Sequence, residues 1–87
     1  MGDREKISLR LIRRGDEYYT TIDTVESFFV VDPYGNTIST DVVGNTKLLF
    51  MRTFPEYVEF KILSGDYEGK RLLIPPKFVN NTYLKFP

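Results

Sequence analysis

Apolar and polar residues alternate in two stretches of the chain, between residues 6 and 11 and between residues 57 and 62. In both stretches every second residue is apolar: Ile7, Leu9 and Leu11 in the first, and Val58, Phe60 and Ile62 in the second. Successive side chains of a strand point to opposite faces, so a period of two places one apolar face against a core. The pattern therefore predicts β-strands that are half buried.

Turn signals separate these stretches. Arg14-Gly15-Asp16 predicts the end of a first hairpin, and Asp32-Pro33-Tyr34-Gly35-Asn36 predicts a type I turn with Pro at its second position and Gly at a positive φ. Gly44-Asn45 suits a two-residue hairpin, and Ser64 to Gly69 suits a longer turn. Pro75-Pro76 must end a strand, because proline cannot donate to a β-ladder.

Together these signals predict one all-β domain over residues 1–87, with little or no helix. The predicted strands cover residues 5–13, 18–22, 27–32, 37–43, 47–53, 57–63, 70–74 and 82–86. A single helical turn at residues 23–26 is the one exception that the sequence leaves open. Seven to eight short antiparallel strands favour either a small β-barrel or a two-sheet sandwich.

The composition supports the strand prediction. The chain has no Ala and no Gln, whereas Thr, Val, Ile, Tyr and Phe supply 34 of its 87 residues. β-Branched and aromatic side chains lose rotamer freedom in a helix but pack well on a pleated sheet.

The absence of His and Cys from the sequence narrows the range of possible functions. Without any His or Cys the chain cannot build a Ser-His-Asp or Cys-His nucleophile pair or a thiolate or imidazole metal site. We therefore expect no enzyme activity, no catalytic residues, no bound metal and no cofactor. The longest apolar runs have four residues and the first six residues lack the apolar core of a signal peptide. These features predict a cytoplasmic protein that does not enter a membrane.

The stretch from Phe60 to Lys70 contains the pattern Gly65-Asp66-Tyr67-Glu68-Gly69-Lys70 at a predicted turn. It resembles the strand-turn-strand of KOW motifs, which are small barrel elements common in ribosome-associated and transcription-associated proteins. The resemblance covers about an eighth of the chain. A hairpin that needs two glycines at positive φ explains the same residues.

Candidate binding residues fall into two groups. Tyr18 and Tyr34 are candidate interface anchors, because one residue of the Tyr18-Tyr19 pair must point outward and Tyr34 lies at a turn tip. The second group combines cations with aromatic rings that could stack on bases: Arg10, Arg13, Arg14, Lys70, Arg71, Lys77 and Lys85, with Tyr67, Phe78 and Tyr83. Acidic residues beside these cations also fit an ordinary solvated face of mixed charge.

Two functions remain open at this point. The first is a non-enzymatic protein-binding module or inhibitor that uses exposed aromatic residues, turn tips or a strand edge, with a protein partner or a second copy of the chain. The second is a small barrel that binds single-stranded nucleic acid through a local basic and aromatic patch. The formal net charge is zero, so the molecule as a whole does not attract polyanions at long range. We therefore favour the protein-binding function.

Overall fold

The computed structural model describes residues 6–21, 28–40 and 42–87. They contain seven β-strands and one 3-10 helix, in the order β1 (Glu17–Thr20), β2 (Phe29–Val31), β3 (Thr37–Ser39), β4 (Lys47–Thr53), β5 (Val58–Ile62), β6 (Arg71–Ile74), the 3-10 helix (Pro76–Phe78) and β7 (Leu84–Lys85). The all-β prediction with seven strands is confirmed. The helical turn that the sequence leaves open at residues 23–26 lies outside the described residues. The same holds for residues 5, 22 and 27, which are ends of predicted strands, and for residue 41, which falls inside the predicted strand 37–43.

All seven strands belong to one antiparallel sheet in the order β3-β2-β6-β5-β4-β1-β7. Strands β4, β5 and β6 follow one another as a meander, whereas β2 pairs with β6 from a distant part of the chain. The sheet is not closed into a barrel: in the part of the chain that the structure describes, β3 and β7 are its two edges. The strands form one sheet rather than the two sheets of a sandwich.

The core lies on one side of this sheet. Alternate strand residues point into it, among them Val30, Leu48, Phe60, Leu72 and Leu84. Five residues outside the strands also belong to the core: Ile7, Ile12, Phe28, Val42 and Val79. Full burial of one such aliphatic or aromatic side chain stabilises the fold by about 1.5–3 kcal/mol. The core of this single sheet therefore includes residues from the loops as well as from the strands.

The first predicted strand is wrong for residues 6–13. Leu11 N–H and Ile12 N–H both donate to the carbonyl of Ser8, at 3.0 and 3.1 Å, so the chain turns where an extended strand was expected. The buried residues are Ile7 and Ile12, whereas Leu9 and Leu11 are exposed. A period of two over six residues also fits an irregular segment, because only burial tells which of the apolar residues reach the core.

Two predicted hairpins are also wrong, because the flanking segments pair elsewhere. The turn at Gly15 leads into β1, which pairs with β4 and β7. Gly44-Asn45 forms a turn, but β3 pairs only with β2 among the described strands, and Asn45 N–H instead donates to the carbonyl of Thr20 at 2.8 Å. The Gly15 turn follows a segment that is not a strand, and the Gly44-Asn45 turn lies between β3 and β4, which are not neighbours in the sheet.

The other predicted turns are confirmed. Gly35 N–H donates to the carbonyl of Asp32 at 3.0 Å with Gly35 at φ 87°, which closes the β2–β3 hairpin. Gly65 and Gly69 both have positive φ in the β5–β6 turn, as the hairpin interpretation of that stretch requires. Pro75 follows the last residue of β6.

Strand bounds differ from the prediction mainly by shortening. Predicted strand 47–53 is confirmed at its full length, whereas 37–43 shrinks to Thr37–Ser39 and 82–86 to Leu84–Lys85. None of the described helices is long and apolar enough to span a bilayer.

Candidate binding surface on the outer face

The side of the sheet that points away from the core, here called the outer face, carries its own set of apolar side chains. Val30 and Leu72 are paired and both lie in the core, so their neighbours Phe29, Val31 and Leu73 point to the opposite side. Val31 is buried even so. Apolar side chains that alternate with core residues on both β2 and β6 give the outer face a second apolar area.

This apolar area surrounds a shallow cavity of about 210 Å³, here called the outer-face cavity. Its walls are Phe29, Val31, Gly35, Thr37, Tyr57 and Leu73. The rings of Phe29 and Tyr57 meet edge to face, with centroids 6.0 Å apart and an interplanar angle of 87°. Edge-to-face contact is a favoured geometry for aromatic pairs and stabilises the position of both rings. The cavity has the volume of about one large side chain rather than that of a typical small-molecule pocket.

Two exposed residues are sequence neighbours of residues that line this cavity. Tyr34 is 89% exposed at the tip of the β2–β3 turn, next to the cavity residue Gly35. Ile38 is 45% exposed on the edge strand β3, next to Thr37. Tyr34 therefore lies in the turn that contributes Gly35 to the cavity wall, and Ile38 lies on the edge strand that contributes Thr37.

A group of charged residues, here called the basic cluster, adjoins the cavity and consists of Arg52, Lys61 and Arg71 around Glu59. The register sets Glu59 directly opposite Leu73 on one side and Arg52 on the other. Glu59 is only 5% exposed, with its Oε1 3.6 Å from Arg52 Nε and 4.0 Å from Arg71 Nη1. Lys61 lies on the same side of β5, two positions from Glu59 and opposite Arg71. Three cations and one carboxylate give the basic cluster a net charge of +2.

Arg71 is held in place by the backbone as well as by Glu59. Its Nη2 donates to the carbonyl of Asp32 at 3.1 Å. Asp32 follows Val31, which is the residue opposite Arg71 on β2, so Arg71 and Val31 are neighbours on the outer face. This arrangement explains why Val31 is buried on the outer face, since the stems of long cationic side chains readily cover apolar surface.

Positive charge extends over the rest of the outer face. The register places five cations of the described strands on this side: Lys47, Arg52, Lys61, Arg71 and Lys85. Two carboxylates accompany them, Glu17 and Glu59, and Glu17 pairs with Lys47 at 3.2 Å. Five positive and two negative charges give a net charge of +3, although the net charge of the whole chain is zero.

Of the two tyrosines proposed as anchors, one is exposed and the other is buried. Tyr34 is exposed, as expected, whereas Tyr18 is 3% exposed and packs in the core, so its predicted role as an exposed anchor is not supported. Burial raises the pKa of the Tyr18 phenol well above its ordinary value, and the nearby carboxylate of Asp16, which accepts its hydrogen bond at 3.2 Å, raises the pKa further. Tyr19, next along β1, points to the outer face.

The three aromatic rings proposed to stack on bases are in contact with the core. Tyr67, Phe78 and Tyr83 all pack against the core cluster, and the Phe78 and Tyr83 rings lie 4.7 Å apart at 85°. Among the cations of that group, Lys77 lies over the Phe78 ring, 5.3 Å from its centroid. Arg71 and Lys85 lie on the outer face, while Arg10, Arg13 and Arg14 are exposed in the segment before β1. All three rings are partly buried, so contact with the core leaves only part of each ring available for stacking.

Sequence reasoning missed most of the residues of the outer face. Lys47, Arg52 and Lys61 were not among the candidates, and neither was Leu73. One signal was present, because the alternation from Tyr57 to Ile62 already places Tyr57, Glu59 and Lys61 on one side of a strand. The cations come from four different strands, however, and only the pairing register shows that they share a face.

A second cavity of about 240 Å³ lies between the turn at residues 42–46 and the turn at residues 64–67. Its walls combine Ile62 and Tyr67 with Ser64 and Asp66. The hydroxyl of Ser64 already accepts a hydrogen bond from Lys47 N–H at 2.9 Å. Within the described ranges, no three acidic side chains come close enough together to hold a metal ion.

Comparison with known proteins adds no relative: no protein-family model, no curated protein sequence and no solved structure matches this chain.

Proposed function

We propose that the protein is a non-enzymatic protein-binding module whose partner docks on the outer face. The observation that carries this proposal is the outer-face cavity, which places Phe29, Tyr57 and Leu73 on the side of the sheet opposite the core. Apolar side chains that are grouped in a concavity, rather than scattered singly, are typical of interaction sites. The exposed ring of Tyr34, in the turn that contributes Gly35 to the cavity wall, is the kind of side chain that interfaces favour.

The arrangement of the site supports a protein partner. Binding hot spots combine an apolar anchor in a well-packed pocket with a polar rim that excludes water. Here the cavity accepts about one side chain, and the basic cluster and the Tyr34 turn form parts of the rim. The proposal requires neither a catalytic group nor a cofactor. A cytoplasmic location stays a prediction from the sequence.

The test is a selection of short peptides from a random phage-displayed library on the immobilised protein. We expect peptides that bind the wild type and lose binding when Leu73→Gln replaces an apolar cavity wall with an amide. The matched control is Leu11→Gln, which makes the same change at an exposed leucine before β1. Circular dichroism and urea unfolding establish that both variants remain folded. A set of peptides that all bind Leu73→Gln as tightly as the wild type would contradict the proposal.

Single-stranded nucleic acid is the second candidate ligand, and the net charge of +3 on the outer face is the observation that favours it. Its test is the fluorescence anisotropy of a labelled oligonucleotide at about 50 and 200 mM salt, because phosphate contacts weaken steeply over that range. The protein-binding proposal predicts no binding at either salt concentration. Binding that weakens with salt and is lost on Lys61→Glu would favour the nucleic-acid function instead.

Self-association is the form of protein binding that needs no other partner. The edge strand β3, which contributes Thr37 to the outer-face cavity and exposes Ile38, is the part of the sheet best placed for it. Light scattering over a range of protein concentrations measures it directly. A dimer that is disrupted by Leu73→Gln would identify a second copy of the chain as the partner.

A further inference from the structure

We propose that the outer face recognises a short acidic peptide segment, with one apolar side chain in the outer-face cavity and carboxylates from neighbouring residues on the basic cluster. This inference rests on the proposed function and adds to it the chemical class of the partner. It follows from the juxtaposition of an apolar concavity and a group of cations with excess positive charge.

The distances on the sheet match the dimensions of an extended peptide. Leu73, a wall of the cavity, is paired with Glu59, and Glu59 is paired with Arg52 on the next strand. Neighbouring strands lie about 4.8 Å apart, so the basic cluster begins about 5 Å from the cavity and ends about 10 Å from it. An extended chain advances about 3.3 Å per residue, and a carboxylate one to three residues from the apolar anchor reaches this distance.

The charges of the basic cluster are only partly compensated. Glu59 is shared between two arginines at 3.6 and 4.0 Å, beyond the distance of a close charge-assisted hydrogen bond. The side chain of Arg52 is 55% exposed and Lys61 is exposed as well, so both cations are accessible from solvent. An arginine has five N–H donors in a planar fork, which allows it to keep its contact with Glu59 while it binds another carboxylate.

Glu59 has a defined role in this arrangement. Because its carboxylate is nearly fully buried between the two arginines, it draws their guanidinium groups together. Holding the cations in place before binding lowers the entropy cost of binding a partner carboxylate. The excess charge of +2 still favours an anionic partner.

The peptides selected on the wild-type protein test this inference directly. We expect the peptides that depend on Leu73 to contain one large apolar residue with Asp or Glu within three positions of it. Their dissociation constants, measured by fluorescence anisotropy on synthetic copies, should rise about tenfold on Lys61→Glu and should also rise with salt, because the rim contacts are solvent-exposed charge pairs. The control is Lys77→Glu, the same charge reversal at a lysine that lies over Phe78 on the core side, and it should leave the dissociation constants unchanged.

The outcomes separate this inference from the proposed function. Peptides that depend on Leu73 but carry no acidic residues, or that bind Lys61→Glu as well as the wild type, would overturn the acidic-segment inference and leave the protein-binding proposal standing. Acidic peptides that bind Leu73→Gln as tightly as the wild type would overturn the inference, because charge alone would explain their binding. If no peptide depends on Leu73, both proposals fail.

Discussion

The two adjacent leucines of β6 lie on opposite faces of the sheet and differ in their burial. Leu72 is completely buried in the core, whereas Leu73 is half buried in the wall of the outer-face cavity. We expect Leu72→Ala to lower the free energy of unfolding by about 2–5 kcal/mol, because it leaves a cavity in a packed core. Leu73→Ala should lower it by about 1 kcal/mol, because solvent already reaches that side chain.

Urea unfolding of both variants measures this difference. Leu72→Met, which nearly conserves volume, serves as the control and should cost less than about 1.5 kcal/mol. Equal losses for the two alanine variants would show that the outer face is covered as completely as the core, and would argue against a binding surface there.

The carboxylate of Asp32 makes the stability of the β2–β3 turn depend on pH. The pKa of Asp32 lies below its ordinary value, mainly because it accepts the backbone N–H of Asn36 at 2.9 Å, with the N–H of Tyr34 contributing in the same direction. A lowered pKa in the folded state stabilises the fold above the unfolded-state value of about 3.8, and this stabilisation is lost as the pH falls through the folded value.

We therefore expect Asp32→Asn to be less stable than the wild type near pH 7, with a difference that shrinks as the pH falls below about 3.8. Thermal unfolding across this range, with Asp66→Asn as the control at an exposed turn, measures the difference. A gap between Asp32→Asn and the wild type that stays constant with pH would contradict the assignment of this stabilisation to the ionised carboxylate.

At the scale of elements, a buried hydroxyl connects β1 to the segment that precedes β4. Thr20 is 1% exposed, and its Oγ1 donates to the carbonyl of Val43 at 2.9 Å and accepts from Thr46 N–H at 3.0 Å. Because β3 and β4 are not paired, these bonds hold the turn between them in place. Replacing the hydroxyl with a methyl group removes the acceptor of Thr46 N–H, whereas the Val43 carbonyl still accepts from the Thr46 hydroxyl. An unsatisfied buried donor costs about 1–3 kcal/mol.

We expect Thr20→Val to lose about 1–3 kcal/mol of unfolding free energy, while Thr20→Ser, which keeps the hydroxyl, loses less. Chemical denaturation of the two variants gives both values. If Thr20→Val is as stable as the wild type, solvent reaches those backbone groups and the segment is not fixed by Thr20.

The elements also show which signals in the sequence were reliable. Alternation correctly predicted β5, where Phe60 is central and both neighbouring strands are paired with it. The same alternation failed before β1, because Ile12 rather than Leu9 reaches the core, through a turn that no local signal marks. Gly44-Asn45 was correctly identified as a turn, but the identity of the strands that pair depends on contacts far apart in the chain.

The candidate site was less predictable than the fold for the same reason. Lys61 and Arg71 lie opposite each other on β5 and β6, and the alternation within each strand gives their side of the sheet once the register is known. The sequence alone does not fix that register. A chain with a net charge of zero therefore has one face with a net charge of +3, because the total charge does not show how charges are distributed between faces.

At the scale of the whole molecule, the insertion of β6 between β5 and β2 has a consequence for the order in which the chain folds. The meander of β4, β5 and β6 closes through short turns, whereas pairing Val30 with Leu72 joins residues 42 positions apart. Closing a longer loop costs more entropy before any contact forms, so non-local pairings tend to form late.

Pulse-labelling hydrogen exchange during refolding should therefore find the amides of β5 protected before those of β2. The β2–β3 hairpin contributes Phe29 and Val31 to the outer-face cavity, so the binding surface is completed only when this hairpin docks on β6. A folding intermediate with the meander formed would lack the site and expose the edge of β6. Simultaneous protection of β2 and β5 would instead indicate that the sheet and its binding surface form in one step.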